Sequence, residues 1–279
     1  MEYIQSTTRF DCPQQRTTKK QPKKKTNLRK HLIPILLACA ALYGPAYAAS
    51  DPSATEIVDR ADTLVWGKTM QGDMEMIITT PSWSRTMEIK LWQDRPTRSF
   101  ARIVAPAKDA GILSLRIATE MWNYMPTIER TIKIPPSMML QPWLGSDFTN
   151  DDMVKESSTV NDYTHRLVAQ KKEGDVDVYE IESLPKPNVA VVWGKLNMII
   201  RKSDFVPLKT GFFNERGELV RTITYSDIKQ MDGRMIPTRW TMQPLDKPGK
   251  STTIVVKSVQ YDKPIANDVF SLQNLGRGR

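Results

Sequence analysis

Little in this 279-residue chain is equipped for covalent chemistry. It contains two cysteines and two histidines. Cys12, Cys39 and His31 all precede residue 40, so His165 is the one histidine after that point. A chain cleaved after Ala48 would therefore have no cysteine, which excludes disulfides, a thiolate nucleophile and a cysteine-based zinc site. One histidine cannot build a two-histidine metal site. No G-x-S-x-G nucleophile elbow, phosphate loop or dinucleotide fingerprint occurs. His165, beside Arg166 in a β-type run, reads as an ordinary strand residue. No pair of carboxylates stands out as the acid and base of a hydrolase.

The acidic cluster Asp147, Asp151 and Asp152 could supply oxygen ligands, but it does not fit a calcium loop. With Asp147 in the first position, the sixth is Asp152 rather than glycine and the twelfth is Ser158 rather than glutamate. Thr149-Asn150-Asp151-Asp152 is better explained as a helix start, with a capping side chain followed by acids in the first turn. These readings predict no catalytic residue, no metal and no cofactor.

The formal charge of +9 is unevenly spread. Nine Lys/Arg against Glu2 and Asp11 give +7 in residues 1–30, leaving about +2 for the rest. Residues 51–279 therefore lack the basic footprint of a nucleic-acid binder. The basic segment leads into the apolar run L-I-P-I-L-L-A-C-A-A-L-Y and then Gly44-Pro45-Ala46-Tyr47-Ala48. Its order matches an export signal, predicting a signal peptide over 1–48 cut near Ala48, and a single domain over 49–279. The run is too short and too interrupted by Pro34, Gly44 and Pro45 for a membrane span. Leu36-Leu37-Ala38-Cys39 resembles a lipobox, which would instead leave the chain lipid-anchored through Cys39.

Past residue 50 the chain opens with a helix. Asp51-Pro52, or alternatively Ser53-x-x-Glu56, supplies its cap. Ile57, Ala61, Leu64 and Val65 form its apolar stripe, and Gly67 ends it. Alternating runs follow: Met74 to Ile78, Met87 to Leu91, Ser99 to Val104, Ile112 to Ile117, Tyr163 to Ala169, Val176 to Leu184, Val189 to Arg201, Val206 to Phe213, Glu218 to Ile228, Met235 to Met242 and Ser251 to Tyr261. With no βαβ alternation, this predicts a mainly β domain: one antiparallel sheet of about ten or eleven strands, strongly curved or nearly closed. The concave face of such a sheet needs a plug.

Glu120 to Asp152 is the unusual stretch. Its first half reads as two short strands about Met125-Pro126-Thr127, stopped at Pro135-Pro136. Met138, Met139, Leu140, Trp143, Leu144 and Phe148 then follow with neither strand nor helix period. Large apolar side chains on an irregular segment must be covered by the domain, a partner or a ligand. Methionine suits an irregular apolar surface. The segment reads either as the lid of an apolar cavity or as a long loop tucked onto an ordinary core.

The order helix, antiparallel strands, M-W-N-Y-M-P, I-P-P-S-M-M, G-S-D-F-T-N-D-D resembles the bacterial outer-membrane lipoprotein-sorting (LolA-like) family, in its uncharacterised branch. The resemblance covers roughly residues 55–275, and its specific part is those motifs. It implies an incomplete antiparallel β-barrel wrapped around the N-terminal helix and an irregular apolar lid. It also implies a periplasmic carrier, not an enzyme, that holds the acyl chains of a lipoprotein or lipid and moves them between membranes or to a transporter. The arginine with which well-studied carriers of that family hold their lid has no matching motif here. Trp122, Tyr124, Met138, Met139, Leu140, Trp143 and Leu144, together with Met74 and Met76, are the candidate cargo contacts. The expected partners are acylated lipoprotein or lipid and an inner-membrane exporter or transporter, with no nucleic acid. In the rival reading, the Met/Trp segment docks an inner-membrane transport complex.

Overall fold

A computed structural model describes residues 51–155 and 159–276. The signal segment, the cleavage site near Ala48 and the Cys39 lipobox lie outside them.

Thirteen strands form one antiparallel sheet in the order β6-β5-β4-β3-β2-β1-β13-β12-β11-β10-β9-β8-β7. They are β1 (Thr69–Thr79), β2 (Ser84–Asp94), β3 (Arg98–Ala105), β4 (Leu113–Ile117), β5 (Glu120–Met125), β6 (Arg130–Lys133), β7 (Tyr163–Glu173), β8 (Val176–Pro185), β9 (Lys195–Arg201), β10 (Pro207–Phe213), β11 (Leu219–Met231), β12 (Arg234–Pro244) and β13 (Ser251–Tyr261). The sheet curls without closing. β6 and β7 are its two edges, and the expected incomplete barrel is what forms. The count exceeds ten or eleven because the two short strands read before Pro135, β5 and β6, join the same sheet on the far side of β4.

Helix α1 (Ala54–Trp66) lies against the concave face. Ser53 is its N-cap, accepting a hydrogen bond from the Glu56 N–H at 3.2 Å. Gly67 ends it at φ +64°, a left-handed conformation that disfavours a side chain. Ile57, Val58 and Ala61 pack on Tyr179, Ile181, Met198 and Ile200 of β8 and β9. One turn on, Val65 joins a core built from β1, β2, β3, β11, β12 and β13. A single helix thus spans both halves of the curl. Period-2 alternation keeps the inner face apolar: Met70, Met74, Met76 and Ile78 are buried on β1.

The β1–β13 pairing contains a bulge beside Asp73 and Met74. On β13, Lys257 and Ser258 are both exposed, and the buried positions change from Thr252, Ile254 and Val256 to Val259 and Tyr261. One extra residue thus keeps inner face opposite inner face across the ladder. The bulge presses on Gly72, where a Cβ would sit 2.1 Å from the Ser258 carbonyl oxygen.

The segment between the edges is irregular, as expected. It comprises two 3-10 turns (Pro136–Met138 and Trp143–Gly145), α2 (Asn150–Lys155) and α3 (Thr159–Asp162). Residues 189–194 depart from the sequence reading. The run from Val189 to Arg201 has the composition of one continuous strand, but β9 begins only at Lys195. Asn188, just after Pro187, turns the chain at φ +63°, and the Val191 N–H bonds to the Val189 carbonyl at 3.2 Å in a tight turn rather than to a neighbouring strand. At the other end, 3-10 turn Asn267–Phe270 and α4 (Leu272–Gly276) place Phe270 and Leu275 on the outer face, against Phe100, Leu113 and Leu115.

Gly72→Ala should destabilise the domain by about 2 kcal/mol or more through overpacking at the bulge. Alanine at Gly217, where an added Cβ would meet nothing, serves as the comparison for a strain-only cost. Urea unfolding of both variants measures the difference.

Candidate hydrophobic binding site

Between the inner face, α1 and the lid lies a cavity of about 290 Å³. One wall is aliphatic: Met74 of β1, Ile89 and Leu91 of β2, Met242 of β12 and Ile254 of β13. The adjoining part of the lining is aromatic. Trp66 of α1 meets Trp240 of β12 edge-on with ring centroids 5.0 Å apart, and Tyr225 of β11 meets the same ring at 6.5 Å. Trp193 stands edge-on to Phe212 at 5.3 Å. Trp143, Phe148 and Met153 contribute from the lid.

The lid is fixed by polar contacts at several points. The Trp143 indole N–H donates to Ser114 Oγ at 3.2 Å, so an aromatic side chain is both buried and satisfied. Asp147 accepts from the Thr252 hydroxyl at 2.7 Å and pairs with Lys250 at 3.0 Å. At the start of α2, Asp152 accepts from the Thr149 backbone N–H at 2.7 Å and from its hydroxyl at 2.9 Å, while the Asp152 N–H returns a bond to Thr149 Oγ1. The acids after Thr149 therefore do cap a helix. Asp152 also receives a two-pronged contact from Arg221 of β11, at 2.8 and 2.5 Å. The Arg221 side chain is 6% exposed, and its guanidinium carbon lies over the Trp193 and Phe212 rings, at 4.3 and 4.6 Å from their centroids. Arg116 of β4 donates to the Val154 carbonyl in α2. Burial raises the Asp151 carboxyl above its usual range, against the pull of Lys155.

One polar locus lies on the aromatic side. Asp62, one helical turn before Trp66, pairs with Arg95 at 2.8 and 3.1 Å. Burial holds its carboxyl above the ordinary range despite that partner.

The structure divides the sequence-derived candidates. Met74 and Trp143 line the cavity. Met76 is fully buried in the same core, and Met139 and Leu144 are half-buried against it. Trp122 and Tyr124 are on the opposite face of the sheet. Their neighbours Met121 and Met125 turn inward, so alternation sends the two rings outward, toward Phe270 and Leu275. Met138 and Leu140 are exposed, at 45% and 60%. Sequence reading missed Trp66, Trp193, Phe212, Tyr225, Trp240 and Arg221. Asp62 and Trp66 share a helix face at i and i+4, a signal that was present. The inward turn at Trp193 left none, because V-A-V-V-W has strand composition.

His165 donates from Nε2 to the Val160 carbonyl (3.2 Å), leaving Nδ1 to accept from the Ser183 hydroxyl at 2.8 Å. Burial lowers its pKa, so the ring is held neutral. Ser183 is fully buried, which leaves this Ser–His pair no access to a substrate. Among the described residues, no group of three or more His, Cys, Asp or Glu is placed to hold a metal, and no helix is long and apolar enough to cross a membrane.

Residues 95–277 match the model of a family of uncharacterized proteins. The chain belongs to that family. No protein of curated function matches it in sequence. Among solved structures, a DUF1329 family protein from Desulfovibrio piger superposes with a TM-score of 0.72 at 19% identity, covering 80% of this chain and 97% of that one. A domain assigned to the outer membrane lipoprotein-sorting proteins of Vibrio parahaemolyticus gives 0.69 at 22% identity, covering 80% and 98%. A LolA superfamily protein from Nitrosomonas europaea gives 0.69 at 22%, covering 80% and 100%. These likenesses establish the fold: this member of the uncharacterized family has the LolA-like incomplete barrel.

Asp152→Ala should cost about 3 kcal/mol, because it strands a buried guanidinium. Glu56→Ala, which removes an exposed pair with Arg60, should cost about 0.5 kcal/mol or less. Thermal unfolding of the two variants side by side tests the contrast.

Proposed function

We propose that this chain is a periplasmic carrier, exported by a signal peptide over residues 1–48, that takes the acyl chains of a lipoprotein or lipid into the apolar cavity. The observation that carries the reading is the cavity itself. An ordinary core fills the space between sheet and helix with side chains, whereas here an apolar space is left between them. The lipoprotein-sorting assignment of the Vibrio parahaemolyticus domain supports the same reading.

The action is physical rather than chemical. Each methylene leaving water for the cavity contributes roughly 0.8 kcal/mol, so ten of them supply about 8 kcal/mol before the costs of association. A cargo held that firmly leaves slowly, and a membrane partner, an inner-membrane exporter or transporter, must assist loading or unloading.

A second reading rests on Met138 and Leu140. Both point to solvent from the outer side of the lid, where an adaptable apolar surface suits a protein partner. In that reading the lid docks an inner-membrane transport complex, and the cavity is incidental.

Native mass spectrometry of the protein purified from the periplasm without detergent, followed by solvent extraction, separates the two. The carrier reading predicts a stoichiometric adduct that extracts as phospholipid or acylated peptide, on a chain beginning at Ala49. An empty monomer throughout would contradict it and favour docking. A chain beginning at Cys39 with acyl additions would show an anchored protein in place of a free one.

A further inference from the structure

We infer that the cavity selects an uncharged ring lipid whose ring carries a hydroxyl or carbonyl oxygen, seated where Asp62, Thr210 and Tyr225 meet the Trp66–Trp240 pair. This deepens the carrier reading and rests on it. A site made only for flexible acyl chains needs adaptable aliphatic walls, and Met74, Ile89, Leu91 and Met242 supply one such wall. The adjoining aromatic patch is different. Trp66, Tyr225 and Trp240 all line the cavity, and each has few rotatable bonds and a flat face. Tyr225 and Trp240 are direct cross-strand partners, so the ladder fixes their spacing. Rigid flat faces fit a rigid flat ligand better than a mobile chain.

Polar groups stand among those rings. Asp62 lies one helical turn before Trp66, and Thr210 lines the cavity together with Tyr225. A methyl-terminated chain placed here would desolvate these groups and return no hydrogen bond. Charge decides what kind of head fits. A cationic head would meet Arg95, already in contact with Asp62, and an anionic head would meet the Asp62 carboxylate. An uncharged oxygen can bond to the Tyr225 or Thr210 hydroxyl without opposing either charge. Burial pushes the Asp62 carboxyl and the Tyr225 hydroxyl up, consistent with a surround that favours neutral groups.

The test is competition for the cavity of the purified full chain, with N-phenyl-1-naphthylamine fluorescence as the readout. The competitors are decyl-substituted benzoquinone, dodecanol and dodecanoate. The inference predicts that the quinone displaces the dye at a concentration about three- to tenfold lower than dodecanol does, with dodecanoate weakest, since dodecanol can make the same hydrogen bond but lacks the ring packing, which is worth about that factor. Tyr225→Phe should weaken the quinone about three- to tenfold, and dodecanol by a similar factor, because either uncharged oxygen can accept from the Tyr225 hydroxyl. Asp62→Asn should let dodecanoate approach dodecanol. Equal displacement by quinone and dodecanol in the unaltered chain overturns the inference and leaves the carrier reading standing. Displacement by none of the three, or no dye binding, removes the carrier reading and the inference with it.

Discussion

One side of a large curled sheet has to be covered, and the helix and the lid follow from that need. Thirteen antiparallel strands in unbroken neighbour order present a single inner face, and alternation makes most of that face apolar, with Ser114 and Arg116 of β4 and Arg221 of β11 as polar exceptions. The curl follows from strand twist, and it leaves a concavity that the inner side chains alone do not fill. Helix α1 covers part of it, packing on β8 and β9 with its first turns and on the β12 side with its last. The lid between β6 and β7 covers more. What neither covers is the cavity.

That constraint also accounts for the lid's chemistry. The lid has too few residues in regular structure to hold itself together, so it is tied by side chains. Trp143 bonds to Ser114, Asp147 to Thr252 and Lys250, and Asp152 to Arg221. Each tie reaches a different strand or its flank, at β4, β13 and β11, so the lid spans the opening. The acids that looked like candidate metal ligands are absorbed by these ties, Asp152 serving as both helix cap and ion-pair partner. The sheet edges carry a separate risk of pairing with other chains. β6 is four residues long and bears Arg130 and Lys133, and β7 carries Lys171 and Lys172, both devices that discourage edge-to-edge association.

The fold was legible in the sequence because its signals are local. Period-2 runs, glycine and proline turns and one amphipathic stripe name the elements, and the lack of βαβ alternation names the class. The site was less legible. Alternation says that Met121 and Trp122 face opposite ways, but not which of them faces in, and the larger ring proved to face out. That choice is made by the C-terminal segment, whose Phe270 and Leu275 lie more than a hundred residues away in sequence. Likewise, a valine-rich run ending in Trp193 has the composition of a strand. Only the turn at Asn188 and the place of Gly194 against Asn214 and Glu215 direct it toward the cavity.

The central claim is that hydrophobic cargo occupies the inner cavity rather than the lid's outer surface. The most direct test is photo-crosslinking of the full chain with an acyl lipid carrying a diazirine on its chain, with labelled residues located by peptide mass spectrometry. Cargo in the cavity places labels on the inner wall and the lid's underside, at Met74, Trp143, Phe212 and Met242. Labels confined to Met138 and Leu140, or to Trp122 and Tyr124 on the outer face, would contradict it.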